Sequence, residues 1–274
     1  MQHLVKKLVV DRVCKSYAAV EGPKERKVVL KDVTFSVDDG EIISIIGPTG
    51  CGKTTLLRII SGLTIPDSGK VLFNENEPIN LNNPQCAIVF QNFNLLPWRN
   101  TLKNIELGLE AKGVAPEERA KIAQYYTELV GLKGFERHHP HELSGGMQQR
   151  VGLARALAVS PAVILFDEPF NSVDIMMRES LQGEVLKILV ENKKTAIFIT
   201  HNVYEAVALS DKIITLSTRP GSVKKIYTVD LPGTRSDKKV RSTEGDTLIE
   251  NIRQDLLEEL AGKAVDLKIA RSEG

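Results

Sequence analysis

Lys53 closes a glycine-rich turn, Asp167 and Glu168 stand side by side at the end of an apolar run, and His201 follows another such run. Together these residue types suit phosphoryl transfer: a cation and free backbone amides for the phosphates, one carboxylate for a metal ion, a second for the attacking water. The turn reads GPTGCGKTT, from Gly47 to Thr55. Gly47, Gly50 and Gly52 allow a tight bend that points successive N–H groups at an anion, and Lys53 adds a compact positive charge where a following helix aims its positive end. Thr54 offers a hydroxyl to Mg2+, and Pro48, Thr49, Cys51 and Thr55 complete the segment expected around the phosphates. Cys51, near that helix end and Lys53, is expected to lean toward thiolate.

Three apolar runs must hold these groups. EIISII, Glu41 to Ile46, is too short for a helix and too apolar for a half-exposed strand, so it reads as a parallel strand buried on both faces. AVILFDEPF, Ala162 to Phe170, reads likewise and ends in the two acids. Neighbours along a strand point to opposite sides, so the acids have different tasks: Asp167 suits the Mg2+ shell, Glu168 suits polarising a water. KKTAIFITHN, Lys193 to Asn202, is a third such strand and carries His201 at its carboxyl end, where open parallel sheets bind ligands.

Between the turn and the acids lies LSGGMQQ, Leu143 to Gln149, in which Ser144, Gly145 and Gly146 form a second anion-receptive turn at a helix start with Ser144 as N-cap. This segment resembles the signature sequence of the ATP-binding cassette (ABC) ATPases, and the resemblance runs over roughly residues 5–230 with each motif in the family's order. It implies an α/β P-loop NTPase core with an antiparallel β subdomain and an inserted α-helical subdomain. It also implies ATP and Mg2+ as cofactors, and two cassettes stacked head to tail, each ATP held between the P-loop of one and Ser144, Gly145, Gly146 and Gln148 of the other. Further implied are Tyr17 stacking on adenine, and Thr54, Gln91 and Asp167 meeting Mg2+. Gln91 also reaches the water and senses the membrane partner, and joins Glu168 and His201 in catalysis, while Asp174 crosses the dimer. Two departures stand out: Val173 where leucine is usual, and threonine rather than serine at Thr49 and Thr54, where the hydroxyl is kept.

Composition fits one globular subunit: 274 residues, 42% apolar, 26% charged, and a net charge of +1 that offers no footprint for nucleic acid. Three scattered cysteines, Cys14, Cys51 and Cys86, imply no disulfide framework and fit a reducing compartment. No run approaches the ~18 apolar residues of a spanning helix and no signal peptide is read at the start, so other chains are expected to cross the membrane. The expected domains are 1–230, the nucleotide-binding domain, with helical insertion at about 92–160, and a tail at 231–274. Pro116, Glu117 and Glu118 open one helix of the insertion, with Ile122, Tyr126, Leu129 and Val130 on one face. The tail is a polar linker and an amphipathic helix with Leu248, Ile252, Leu256 and Leu260 at four-residue spacing, expected to pack on its own core. His138, His139 and His141 are interrupted by Pro140 and lack a further ligand nearby, and KERK, Lys24 to Lys27, reads as a solvated hairpin loop.

Three classes compete for the function. A membrane-transport ATPase fits every motif. A soluble ABC protein of DNA repair or translation would carry a coiled-coil insertion, tandem cassettes or a basic surface, and a P-loop kinase would not carry LSGGMQQR. Within transport, VFQNFNLLPWRNTLKNIELGL (Val89 to Leu109) and the run after Asp167 resemble import subunits for nitrate, sulfonates, taurine or bicarbonate, with importers of vitamin precursors as the alternative. The implied partners are a second cassette, identical or paired, two membrane-spanning permease subunits and, indirectly, an extracytoplasmic solute-binding protein. The implied location is the cytoplasmic face of the membrane, held peripherally. Trp98, beside Arg99 and Pro97, reads as an exposed anchor for a permease helix.

Overall fold

The computed structural model describes residues 6–18, 26–79, 85–171, 173, 175–218, 220–231 and 242–272, with backbone alone at 175–176 and 262–272. Asp174, Lys24 and Glu25 of the KERK run, and residues 232–241 of the polar linker lie outside the described residues. In chain order the first elements are β1 (Lys6–Ala18), β2 (Arg26–Asp38), β3 (Ile42–Ile46), α1 (Lys53–Ile60), β4 (Ser68–Phe73), β5 (Glu77–Pro78) and β6 (Cys86–Phe90). Then come α2 (Thr101–Ala111), α3 (Pro116–Leu129), a 3-10 turn (Pro140–Glu142), α4 (Gly145–Ala158), β7 (Val163–Asp167) and α5 (Ile175–Glu191). The last are β8 (Thr195–Ile199), α6 (Val203–Leu209), β9 (Lys212–Leu216), β10 (Val223–Thr228) and α7 (Thr243–Ser272).

Two sheets result. The first is antiparallel, in the order β2-β1-β4-β5. Leu8, Val10 and Val13 of β1 and Val33, Phe35 and Val37 of β2 are buried while most of their neighbours are not, as in a sheet with one solvated face. The inward set on β1 changes from even to odd numbers at a register shift between Val10 and Val13, where Arg12 takes φ 48°. The second sheet runs β10-β9-β3-β8-β7-β6, parallel except for β10. β3 and β8 are buried at every position, the state their largely apolar sequences require.

The chain leaves this sheet after β6 to form α2, α3 and α4, which pack on one another, and returns at β7. Pro116 occupies the first turn of α3 with Glu117 and Glu118, where acids oppose the helix dipole. Ile122, Tyr126 and Leu129 pack on a core shared with Leu153 and Leu157 of α4. The molecule is thus an α/β core with an antiparallel β subdomain and an inserted helical subdomain.

At the far end α7 lies on its own chain. Ile249 and Ile252 are buried with Val203 and Val207 of α6 and Tyr227 of β10, and Leu248 and Leu256 pack against the same cluster. Leu260, expected on that stripe, is 45% exposed, because the packed face runs through 248, 249, 252 and 256 and ends there. No helix among the described residues is long and apolar enough to cross a membrane.

Candidate functional site

The parallel strands end together. Ile45 pairs with Ile199, Ile199 with Asp167, and Asp167 with Phe90, so the glycine turn, His201, Glu168 and Gln91 emerge along one carboxyl edge. Gly47 to Gly52 connect β3 to α1, and Lys53 Nζ donates to the carbonyls of Gly47 at 2.6 Å and Pro48 at 3.2 Å. Gly52 has φ 102°, and a Cβ there would meet Leu30 Cδ2 of β2 at 2.6 Å, so only glycine serves. Thr49, Gly50 and Thr54 are exposed and Thr55 is half-buried.

Cys51 differs from expectation. It is fully buried, and burial pushes its thiol above the usual range, outweighing Lys53, whose Nζ is 3.9 Å from Sγ. The thiolate reading is therefore corrected. The enclosure comes from elements distant in sequence: the β9–β10 connection lies so close that a Cβ on Gly221 would come within 1.9 Å of the Cys51 carbonyl oxygen.

Glu168 has φ 48°, uncommon for a residue with a side chain, and its N–H donates to the Ile199 carbonyl at 2.9 Å. Its Oε2 accepts from the Asn171 amide and lies 3.5 Å from His201 Nδ1. Asp167 is half-buried, and its carboxyl is held above the ordinary range first by burial and then by the charge of Glu168, against Arg58 and Lys53. A site in which two adjacent carboxylates raise proton affinity is one that favours added positive charge.

Gln91 follows β6 and is exposed. Tyr17 is 40% exposed near the end of β1, opposite Lys27, with Lys15 Nζ 5.6 Å from its ring centre. The second glycine turn opens α4: Ser144 caps the helix by accepting from Met147 N at 3.3 Å, and Gly145 has open space around it. Gln148, grouped with this turn from its sequence position, is tied to the segment before it. Nε2 donates to the carbonyls of Pro140 at 2.9 Å and Leu143 at 3.1 Å and so holds the lead-in to α4. In that lead-in the His139 and His141 rings stack at 5.9 Å, and Glu142 accepts from His139 N.

Trp98 is 71% exposed, whereas Phe93 in the same run is buried. Several site neighbours carried no sequence signal beyond their type. Asn171 was legible only as part of FNSVD, and Glu205 reads as an ordinary acid in the first turn of α6. Glu205 is nevertheless buried, engages Thr200, and keeps one carboxyl oxygen without a partner, and burial lifts its carboxyl to about 7.

Comparison with known proteins agrees with this geometry. The ABC transporter family model matches residues 30–171. An uncharacterized ABC transporter ATP-binding protein of Methanocaldococcus jannaschii is 44% identical over 249 residues, 91% of this chain and 92% of that one. The taurine import ATP-binding protein TauB of Yersinia pestis is 44% identical over 197 residues, 72% of this chain and 77% of that one. A solved dimeric structure of an ATP-binding cassette in a post-hydrolysis state, bound to ADP and Pi, has a TM-score of 0.68 at 33% identity and covers 81% of this chain and 98% of that one. The chain belongs to the ABC transporter family, as its ATP-binding, ATP-hydrolysing component.

Proposed function

We propose that this chain energises import of a small anion, of the taurine, sulfonate, nitrate or bicarbonate kind, by ATP-driven closure of two cassettes beneath two permease subunits. The observation that carries the import reading is the likeness to a taurine import ATP-binding protein across 77% of that protein. The chain would act peripherally at the cytoplasmic face, and an extracytoplasmic binding protein and the permeases would select the solute.

In this reading the amides from Gly47 to Thr55 and the Lys53 ammonium hold the phosphates, and Tyr17 stacks on adenine. Glu168, held by Asn171 and beside His201, orients the attacking water and takes its proton. Ser144, Gly145 and Gly146 meet the nucleotide of the second cassette. For Mg2+ the donor set fits: the Asp167 carboxylate, Thr54 hydroxyl and Gln91 amide oxygen are hard oxygen ligands, few in number, as suits an ion that keeps waters and phosphate oxygens. When bound, it would neutralise phosphate charge.

The test is to isolate the tagged chain from its native membrane with its partners. Two spanning subunits and an ATPase stimulated by binding protein loaded with one of these anions are expected. Stimulation by a vitamin precursor instead would overturn the anion assignment, and association with no spanning chain would overturn the transport reading. Trp98→Ala should weaken the permease complex while the isolated chain keeps its ATP affinity; equal loss of thermal stability in the isolated chain would assign Trp98 to the core.

A further inference from the structure

The connection after β6 carries both Gln91 and Trp98, and its backbone is held in an unfavourable shape. Phe93 has φ 53° and Asn94 φ 45°, two consecutive non-glycine residues in the left-handed region. This region is disfavoured for both, since each carries a Cβ, less for asparagine than for phenylalanine. Something must hold this pair in place.

The geometry points to Arg155 as the residue that does so. From the last turn of α4, Nη2 donates to the Phe93 carbonyl at 2.5 Å and Nη1 to the Asn94 carbonyl at 2.8 Å. Left-handed backbone turns these two successive carbonyls toward one planar fork, a match that guanidinium makes and ammonium does not. Burial lowers the affinity of this guanidinium for its proton, and no carboxylate lies within 4.0 Å of it among the described residues. This half-buried cation and the two carbonyls satisfy one another: withdrawing the guanidinium leaves the carbonyls without this donor, and withdrawing the carbonyls leaves a charge without its acceptors. Three residues earlier on the same helix, Gly152 faces the Phe93 side chain, with Phe93 Cβ 3.8 Å from where a Cβ would stand. The far end of the connection is pinned separately. Buried Asn104 accepts from Leu96 N at 2.7 Å and donates to the Arg99 carbonyl at 2.8 Å. Gln91 therefore leaves β6 on one side of a clamp that belongs to the helix begun by Ser144, and Trp98 lies on the other side.

Arg155 is thus a positioning residue. It locks the Gln91 connection to the signature helix, so that a displacement of Trp98 by a permease and a displacement of Ser144 by the second nucleotide move one body. The inference rests on the proposed role of Gln91 at the metal and water.

The test compares wild type, R155M, R155K, Q91A, R155M/Q91A and R155M/N94G. Hydrogen exchange at the amides of Phe93 to Leu96 should quicken at least ~10-fold in R155M, less in R155K, and return toward wild type in R155M/N94G, because glycine adopts the left-handed region freely. The turnover number in R155M should fall about tenfold with KM for ATP little changed, and R155M should add little in the Q91A background, as for residues acting as a unit. R155M with unchanged exchange overturns the clamp. Additive losses in R155M/Q91A, or failure of N94G to rescue, also overturn it and assign Arg155 to general stability. Full turnover in Q91A refutes the reading of Gln91 alone, since the exchange result still stands or falls by itself. If R155M does not fold, R155K and its rescue by N94G decide on the same readouts.

Discussion

Glu205 faces inward from the first turn of α6, engaging Thr200, with Arg178 and Glu168 as the charged groups that act on it from α5 and the end of β7. Its carboxyl moves from 4.5 to about 7, mainly by burial. Because the folded state holds the proton more tightly than the unfolded one, the stability linked to this group is fully present below pH 4.5 and is lost as pH rises toward 7. The span corresponds to about 3 kcal/mol. Denaturant titrations at several pH values should show the stability of wild type relative to Glu205→Gln falling by about that amount over this window and flat above it; a pH-independent difference would remove Glu205 from the account. The cysteines give a second residue-scale expectation. Cys51 is fully buried with a raised thiol, and of the two partly exposed cysteines, Cys14 and Cys86, burial pushes the Cys86 thiol up to about 12. Iodoacetamide at pH 8 should therefore modify Cys14 well before the other two, read by peptide mass spectrometry. Early modification of Cys51 would restore the thiolate reading.

Elements report on what the sequence could and could not say. β3, β7 and β8 were legible because a run of Ile, Leu, Phe and Val bounded by turn residues leaves a buried parallel strand as the consistent reading, and their ends bring Asp167, Glu168 and His201 to one edge. Cys51 was misread because its local neighbours, Lys53 and a helix end, are sequence facts, while the walls that bury it, Leu30 and Gly221, arrive from β2 and the β9–β10 connection. Arg155 and Glu205 escaped notice for the same reason: a charged residue on a helix reads as solvated until packing supplies its carbonyls or its enclosure. The tail helix falls between these cases, since four-residue spacing identified a buried stripe but not where it ends. Ile252 is fully buried against α6 and β10, so Ile252→Ala should destabilise the chain by roughly 2–5 kcal/mol, whereas Leu260→Ala should change it by less than about 0.5 kcal/mol. Thermal melts of both variants would check this, and equal effects would mean that α7 packs along its whole length.

At the scale of the molecule, one chain presents two glycine-rich helix starts, at Lys53 and at Ser144, on separate subdomains. The glycine turn closes β3 at the sheet edge, while α4 belongs to the inserted helices, and Gly145 at its start lies open. An open cap of this kind suits a partner's nucleotide, and a related cassette has been solved as a dimer. Replacing Glu168 by Gln keeps shape and removes the proposed base, a change typically worth ~10²–10⁴ in rate. MgATP binding should persist, because Lys53, Thr54 and Asp167 are untouched, so hydrolysis stalls with nucleotide in place. Size-exclusion chromatography of Glu168→Gln should then reveal a dimer with MgATP and little without it. Adding Ser144→Arg places bulk and charge where the second cassette's phosphates would lie and removes the cap on α4, and it should abolish that dimer while leaving the monomer able to bind nucleotide. A Glu168→Gln protein that binds ATP yet never associates, alone or with its membrane partners, would mean that the two helix ends do not share one nucleotide, and the proposed closure would have no structural basis.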